Sequence, residues 1–172
     1  TIVAASELAA KQTQSNATIG GAWWDSILVP GAQSLESASN SSIVDSASDF
    51  HEKQLALLLR YWIDGDTAAR DKAMSVAAYG AANTAAEGST QDKRSWMLAM
   101  GWSFDFLFSA LDDSEKKVIG DAIEGFYSEL NGNTSNLIDG ADGGNEAIKF
   151  CGALAIEGAT GSGFNYSNTA GL

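Results

Sequence analysis

From residue 48 onward, the sequence alternates between segments with a helical spacing of apolar residues and short breaks rich in Gly, Asp and Asn. Apolar residues three and four positions apart lie on one face of an α-helix. A break of only a few residues makes the next helix run back along the previous one. Such pairs recur at roughly 35 to 45 residues, which is typical of stacked helical hairpins. Because no strand pattern of any length competes with these segments, we predict an all-α fold built from antiparallel helical hairpins.

The first hairpin is marked by signals for helix starts and stops. A cap at residues 48–49 predicts a helix that runs to about Ile63. Gly65 suits the left-handed position that ends a helix, and Asp66 can cap a second helix over residues 67–85. The predicted apolar stripe of the first helix is Leu55, Leu58, Leu59 and Trp62. The second helix carries a face of small residues that lets a neighbour approach closely, namely Ala73, Val76, Ala77 and Gly80.

The second hairpin begins with a helix predicted over residues 91–111, which is apolar nearly all round and is therefore expected to be buried from both sides. Asp112 and Glu115 have the spacing of a capping box. They introduce a fourth helix from Ser114 to about Leu130. Its predicted buried residues are Val118, Ile119, Ala122, Ile123 and Phe126.

We expect one domain over residues 1–172, because a chain of this length is usually a single domain. Residues 1–47 contain a short amphipathic helix and a Ser/Asn-rich connector. Residues 48–130 form the two hairpins. Residues 131–172 begin a third hairpin and end in a Gly/Ser/Asn-rich tail from Thr160, which we expect to be poorly ordered.

The charge balance limits the partners. The formal net charge is -12 at pH 7, with only 10 Lys and Arg residues. Nucleic acid and anionic membrane surfaces both demand a basic face, so neither is expected as a partner. No apolar run approaches the roughly 20 residues of a membrane span. With one histidine and one cysteine, the sequence offers no convincing transition-metal site, and no cofactor is expected.

The composition favours a secreted protein in an extracellular or periplasmic location. It is rich in Ser, Asn and Thr, and a start at Thr1 rather than Met suggests that an N-terminal segment has been removed. Four Asn-X-Ser/Thr sequons occur in segments that we interpret as loops or termini. If the source organism glycosylates proteins, these are surface sites: Asn16, Asn40, Asn133 and Asn165.

Three segments resemble the helical toroid of heparinase II/III-like polysaccharide lyases, a superfamily that includes alginate lyases. They are Leu57–Thr67, with its helix, Gly-Asp turn and next helix; Met100–Lys117, with its aromatic helix and acidic turn; and Gly143–Ile148, at the start of an Asn-containing helix. The resemblance implies that this chain forms the N-terminal part of an (α/α) toroid, an incomplete ring.

The same resemblance implies β-elimination on a uronic-acid polysaccharide. This reaction needs a group that neutralises the carboxylate, a base, and an acid for the leaving oxygen. Asn145 maps onto the neutraliser position, where its amide and the helix N-terminus both favour a carboxylate. Glu146 stands where many members of the family have histidine. The implied partners are an acidic polysaccharide and either the remaining half of the toroid or identical subunits.

Further residues are candidate contacts for a sugar. Lys93, Arg94 and Trp96 together could hold a sugar carboxylate, although Lys93 and Arg94 are equally well interpreted as a solvated first turn. Asp105 lies near Trp102 in an aromatic helix. A carboxyl group there could be a general acid with a raised pKa, as in glycoside hydrolases on α/α toroids. The alternative is that Asp105 bonds within the fold.

Two interpretations remain open for His51 and for Cys151. At the start of a helix, His51 is more typical of an exposed first-turn residue than of a catalytic base. Cys151, in an apolar segment of the helix predicted over residues 144–158, is interpreted as core filler rather than as a nucleophile. The sequence therefore supports two classes of function, a carbohydrate-active toroid and a non-catalytic extracellular module for assembly or surface layers.

Overall fold

The computed structural model describes residues 27–45, 47–83, 90–132 and 151–167. The helices are α1 (Val29–Ser37), α2 (Asn40–Val44), α3 (Phe50–Asp64), α4 (Thr67–Ala82), α5 (Thr90–Leu107) and α6 (Asp113–Gly132), with a 3-10 turn at Ala47–Asp49. Residues 151–156 are a further helical segment, here α7, and strands β1 (Thr160–Gly161) and β2 (Phe164–Asn165) pair antiparallel. The described part of the chain is predominantly helical, which confirms the predicted fold class.

The turn between α3 and α4 has the predicted capping chemistry. Gly65 adopts a φ of 71°, the left-handed region, and its N–H bonds to the carbonyl of Tyr61. The Oδ1 atom of Asp66 accepts hydrogen bonds from the backbone N–H groups of Ala68 and Ala69, at 2.9 and 3.1 Å. Both predicted roles are confirmed, and the two-residue turn makes α3 and α4 antiparallel.

The start of α6 is a capping box, as predicted. The Glu115 N–H donates to Asp112 Oδ1, and the Asp112 N–H donates to Glu115 Oε2, both at 2.9 Å. The bond from the Glu115 N–H, followed by the bond from the Ser114 hydroxyl, holds the pKa of Asp112 below its ordinary value. The helix start is therefore stabilised by an ionised carboxylate.

The helices pack so that α3 contacts both α4 and α5, while α4 also contacts α6. Three residue pairs, in the same order along both helices, join α3 to α5: His51 with Ser95, Gln54 with Ser103, and Trp62 with Phe106. This order shows that α3 and α5 run parallel, while α3 and its sequence neighbour α4 run antiparallel. Successive hairpins stacked side by side have this arrangement.

A single large cluster of buried side chains lies between these helices. The small-residue face of α4 is buried as predicted, and Ala73, Val76 and Ala77 have 0% exposure. The close approach is visible at Gly80, where an added Cβ would lie 3.2 Å from the ring of Phe50. The largest fully buried side chains include Trp96, Phe104, Met97, Met100, Leu57 and Leu58.

The Ser/Asn-rich stretch before α3 is not the irregular connector that the composition suggested. It forms α1 and α2, with Pro30 in the first turn of α1. Ser39 caps α2 by accepting a hydrogen bond from the Ser42 N–H at 3.1 Å. The prediction was wrong because serine at a cap favours a helix, and because Ile43 is fully buried against the hairpins.

The prediction of a poorly ordered tail from Thr160 is also wrong for residues 160–167. These residues form the β1–β2 hairpin, whose turn contains Gly163 at a φ of 86°. Phe164 and Tyr166, two residues apart, are 7% and 2% exposed in the main core. The Gly/Ser/Asn composition describes the turn, but the two aromatic side chains decide the order of the segment.

Two predicted core residues are on the surface. Val118 is 51% exposed because α6 buries Ile119, Ile123 and Phe126, a stripe that leaves Val118 beside it. Cys151 is exposed. Only one face of α7 is buried, and it carries Gly152, Ala153, Ala155 and Ile156, whereas Cys151 and Leu154 lie on the exposed face.

Candidate functional site

Four half-buried ring side chains line the groove between α3 and α5. His51 and Trp62 come from α3, and Trp102 and Phe106 come from α5. The ring centroids of His51 and Trp102 are 6.2 Å apart, and those of Trp62 and Phe106 are 5.4 Å apart in an edge-to-face arrangement. We call these four side chains the aromatic face. It combines apolar rings with partial exposure, the composition typical of ligand sites.

Helical spacing places these rings together. His51 and Trp62 are eleven residues apart, which is close to three full turns. Trp102 and Phe106 are four residues apart and are therefore neighbours on one side of α5. Because α3 and α5 run parallel, the two pairs lie opposite each other in the same order. The Nε1 atom of Trp62 is buried and makes no hydrogen bond within the described residues.

His51 is held in one orientation by Ser95. The Ser95 Oγ atom accepts a hydrogen bond from the backbone N–H of His51 at 3.1 Å, and it lies 2.9 Å from His51 Nδ1. Ser95 is fully buried. Asp49, the residue before α3, makes no side-chain cap bond, so Ser95 satisfies this helix start from α5.

The contact between Ser95 Oγ and His51 Nδ1 is compatible with either atom as the donor, and its direction decides the tautomer of the imidazole. One lone pair of Oγ is used by the backbone N–H, and a buried hydroxyl hydrogen needs an acceptor. Within the described residues, His51 Nδ1 is the acceptor that Oγ reaches. When Oγ is the donor, the neutral ring carries its hydrogen on Nε2, and Nε2 is the nitrogen left for solvent or a ligand.

A serine beside a histidine also suggests an activated nucleophile, but the burial of Ser95 argues against this chemistry. A nucleophile has to reach the substrate, and Ser95 has 0% exposure. Its hydroxyl already completes the start of α3. The Ser95–His51 pair is therefore a structural contact that orients the imidazole.

Behind the aromatic face lies a second, fully buried set of polar groups, here called the polar seam: Gln54, Ser95 and Ser103. The Gln54 Nε2 atom donates to Ala73 O at 2.9 Å and to Ser103 Oγ at 2.8 Å. Ser103 in turn donates to Ala99 O at 2.6 Å. Gln54 Oε1 is buried and has no hydrogen-bond partner within the described residues. These bonds tie α3 to both α4 and α5 beneath the rings.

The structure removes Trp96 from the predicted sugar contacts. Trp96 is 1% exposed, and its Nε1 donates to the carbonyl of Gly80 at 2.9 Å. Its ring packs on Phe126, with centroids 4.8 Å apart. The sequence could not separate a core tryptophan from a binding tryptophan, because both lie in the same apolar helix.

The charged residues predicted to contact a sugar do not all lie on the side of α5 that carries Trp102. Lys93 lies nine residues from Trp102, about half a turn out of phase, so it lies on the opposite side of α5. Arg94 and Trp102 are both half-buried on α5.

Asp105 is 3% exposed. Its carboxyl group is therefore not accessible for acid catalysis, which favours the alternative that it bonds within the fold.

Asn145, Glu146, Asn16 and Asn133 lie outside the described residues. The other two sequons differ from each other. Asn165 is exposed on β2. Asn40 donates from Nδ2 to Ser75 Oγ at 2.7 Å and accepts from Lys72 at Oδ1, at 2.8 Å. A glycan at Nδ2 would remove one hydrogen from this network, so the geometry disfavours Asn40.

One strongly perturbed titratable group among the described residues, Tyr166, lies away from the aromatic face. Burial, followed by the hydrogen bond to Asp121, raises the pKa of Tyr166 far above its ordinary value. Burial would raise the pKa of Asp121, but the bonds from Lys117 and Tyr166 outweigh it and lower that pKa. Tyr166 is therefore a neutral hydroxyl that donates to Asp121 Oδ1 at 2.8 Å, and it is no candidate for a base.

No group of three or more His, Cys, Asp or Glu side chains among the described residues could hold a metal ion. No helix in the described ranges is long and apolar enough to cross a membrane. No protein family, curated protein or solved structure matches this chain.

Trp102 is the one residue of the aromatic face that the sequence interpretation placed at the site; His51 and Trp62 are among those that it missed. His51 was taken as an exposed first-turn residue, and Trp62 as part of the core stripe. The signal that points to them is their spacing, because eleven residues return a helix to nearly the same side. That signal becomes informative only when α5 is known to lie alongside α3.

Proposed function

We propose that this chain is a carbohydrate-binding helical module of the polysaccharide-lyase toroid type, with the aromatic face as its binding surface. The observation that carries the proposal is a pair of half-buried tryptophans, Trp62 and Trp102, each of which lies against a ring of the facing helix. Indole rings offer a large, rigid apolar surface with little conformational entropy to lose. The apolar face of a pyranose ring can pack against such a surface.

The arrangement of helices also supports the toroid type. In an (α/α) ring, helices of successive hairpins run parallel in each layer, as α3 and α5 do. Within this proposal Asn145 is the carboxylate neutraliser for β-elimination and Glu146 lies beside it. The remaining half of the ring would come from further chain or from identical subunits.

Binding is tested with a panel of defined oligosaccharides, namely neutral glucans, alginate oligomers and glycosaminoglycan fragments, titrated by calorimetry. We expect binding by the wild-type chain and a loss of about tenfold or more in Trp102→Ala. Tyr79→Ala is the matched control, because Tyr79 is a half-buried aromatic on α4, a helix that contributes no ring to the aromatic face. Equal loss in both variants, or no binding to any oligosaccharide, would contradict the proposal.

The net charge of -12 decides how the panel should respond to salt. An acidic saccharide is repelled by an acidic protein, and salt screens this repulsion. We therefore expect uronate oligomers to bind more tightly as salt increases, and neutral ones to be nearly unaffected. The lyase step is tested separately, by the absorbance of unsaturated uronate after incubation with alginate or glycosaminoglycans.

A second candidate function is assembly with another protein, favoured by an apolar groove between α4 and α6. Val118 lies exposed at this groove, beside Met74, Ala78 and Leu111. Sedimentation of the wild type and of Val118→Lys tests it. A self-associating wild type and a monomeric variant would support assembly, and a monomer in both would remove self-assembly through this groove.

A further inference from the structure

We propose that His51 is the hydrogen-bond donor that selects a saccharide oxygen at the aromatic face, with Trp102 beside it as the stacking surface. The inference rests on the proposed carbohydrate binding and adds the residue that would give it specificity. Stacking alone is tolerant of ring identity, whereas a fixed donor distinguishes the position of a hydroxyl or carboxylate oxygen.

The first step of the argument is the fixed direction of the imidazole. Two contacts from the fully buried Ser95 hold the backbone and the Nδ1 atom of His51, at 3.1 and 2.9 Å. A side chain held in this way loses little additional freedom when a ligand binds, which favours affinity. A first-turn histidine on a solvated surface would have no such restraint.

The second step is the chemistry of the remaining nitrogen. With Ser95 as the donor to Nδ1, which is one of the two directions that the 2.9 Å contact allows, the neutral imidazole presents Nε2–H as a donor. The Nε2 atom makes no hydrogen bond within the described residues. The imidazole and the indole of Trp102 have centroids 6.2 Å apart and planes inclined by 41°. A sugar ring packed on the indole would therefore bring its peripheral oxygens near the imidazole edge.

The third step concerns which oxygen is bound. A neutral N–H group can donate to a neutral oxygen or to an anionic one. Both a sugar hydroxyl and a uronate carboxylate therefore satisfy the geometry. The two sources differ in the strength of the bond, because a hydrogen bond to a charged acceptor is stronger than one between neutral groups. Neutral and uronate oligosaccharides are thus the two arms of the test.

The chain has a single histidine, which allows a direct measurement. Long-range proton–nitrogen NMR spectra contain the signals of one imidazole and show which nitrogen carries the hydrogen. We expect the Nε2–H tautomer in the free protein and a shift of the Nε2 signal when the bound oligosaccharide is added. An Nδ1–H tautomer, or an Nε2 signal that stays in place at saturation, would overturn the inference.

Variants separate the donor from the ring. His51→Gln retains an N–H donor near the Nε2 position, and His51→Phe retains a ring without a donor. We expect His51→Phe to bind the oligosaccharide about fivefold to tenfold more weakly, and His51→Gln to stay within about twofold of the wild type. Thermal unfolding by circular dichroism confirms that both variants remain folded.

The outcomes distinguish this inference from the proposed function. If Trp102→Ala abolishes binding while His51→Phe binds like the wild type, the aromatic face binds sugar and the role of His51 is wrong. If no oligosaccharide binds to the wild type, the proposed function fails and the inference fails with it. Loss in His51→Phe that His51→Gln restores, together with the Nε2 shift, supports both.

Discussion

The polar seam and the contact between α6 and the β1–β2 hairpin both join segments that are distant in sequence, but they do so by different physics. In the polar seam, fully buried Gln54 and Ser103 are held by directed hydrogen bonds. At the hairpin contact, Tyr166 packs over Gly120 of α6, where an added methyl group would overlap the ring. The first contact depends on polarity and the second on volume.

The two contacts should therefore be sensitive to different kinds of substitution. A buried hydrogen-bonded set tolerates a change to an apolar side chain of similar size better than it tolerates an unsatisfied charge. The contact of Tyr166 with Gly120, here called the glycine notch, tolerates neither an added charge nor added volume, since the space is already filled. Four experiments test this contrast, beginning with the one for which we expect the largest effect.

Gln54→Glu replaces the Nε2 donor with a carboxylate oxygen next to Ala73 O. We expect a loss of about 3 kcal/mol in the free energy of unfolding at neutral pH, because a buried charge is left without its donors. Burial raises the pKa of such a carboxyl group. The loss should therefore be smallest below the ordinary glutamate pKa of about 4.3 and grow as the pH rises through the raised value.

Gln54→Leu is the matched control and is measured by urea denaturation under the same conditions. We expect it to stay within about 1 kcal/mol of the wild type, since Ser103 still donates to Ala99 O and the unpaired Oε1 is removed. If Gln54→Leu and Gln54→Glu destabilise the chain equally, the stability of the polar seam depends on shape rather than on hydrogen bonds.

Gly120→Ala tests the glycine notch. The new methyl group overlaps the ring of Tyr166, and we expect a loss of about 2 kcal/mol or more, as for other overpacked sites. Hydrogen exchange should increase in residues 160–167. Gly125→Ala on the same helix is the control, because nothing lies within 4 Å of its added Cβ. That variant should gain about 0.5–1 kcal/mol from helix propensity.

Tyr166→Phe keeps the ring and removes the hydroxyl that donates to Asp121 Oδ1, 2.8 Å away. We expect a loss of about 1 kcal/mol, the usual net value of a hydrogen bond. Tyr127→Phe, on α6, is the control and should change stability by less than about 0.5 kcal/mol. A larger loss in Tyr166→Phe than in Gly120→Ala would show that the hydroxyl, and not the ring, holds the hairpin.

The pH dependence of the hairpin contact should be the smallest effect. The lowered pKa of Asp121 gives stability that is present above the ordinary value of 3.8 and is lost as the pH falls through the lowered value. The raised pKa of Tyr166 gives stability that is present below 10.0 and is lost at higher pH. The measurement is thermal unfolding across pH. Asp121→Asn should weaken the acid dependence, of which a part remains because the pKa of Asp112 is also lowered, and Tyr166→Phe should weaken the alkaline dependence. Unchanged profiles would show that neither group is linked to folding.

Much of the helical architecture was predictable from local signals. The turn at Gly65 and Asp66 and the capping box at Asp112 and Glu115 were confirmed because such motifs involve neighbouring backbone groups. The order of residues 160–167 was not predictable in the same way. Its stability depends on Phe164 and Tyr166 reaching a core made by residues far away in the chain, and composition carries no information about that distance.

The candidate site shows the same division. Trp102 was expected at the site from the sequence, whereas Trp96, six residues earlier in the same apolar helix, was wrongly grouped with it. Helical phase separates the two side chains, but the phase has no meaning for function until the buried side is known. His51 is oriented by Ser95, which lies 44 positions away in the sequence.

The sequence by itself determined where the main helices of the two hairpins lie and how their connecting turn and capping box are built, because capping, turn chemistry and the helical period act over a few residues. The tertiary structure alone decided which rings face the groove, which tryptophan is core, and that the tail folds onto α6. These outcomes depend on which helix lies against which, and that choice is made by burial and hydrogen bonding between residues distant in the chain.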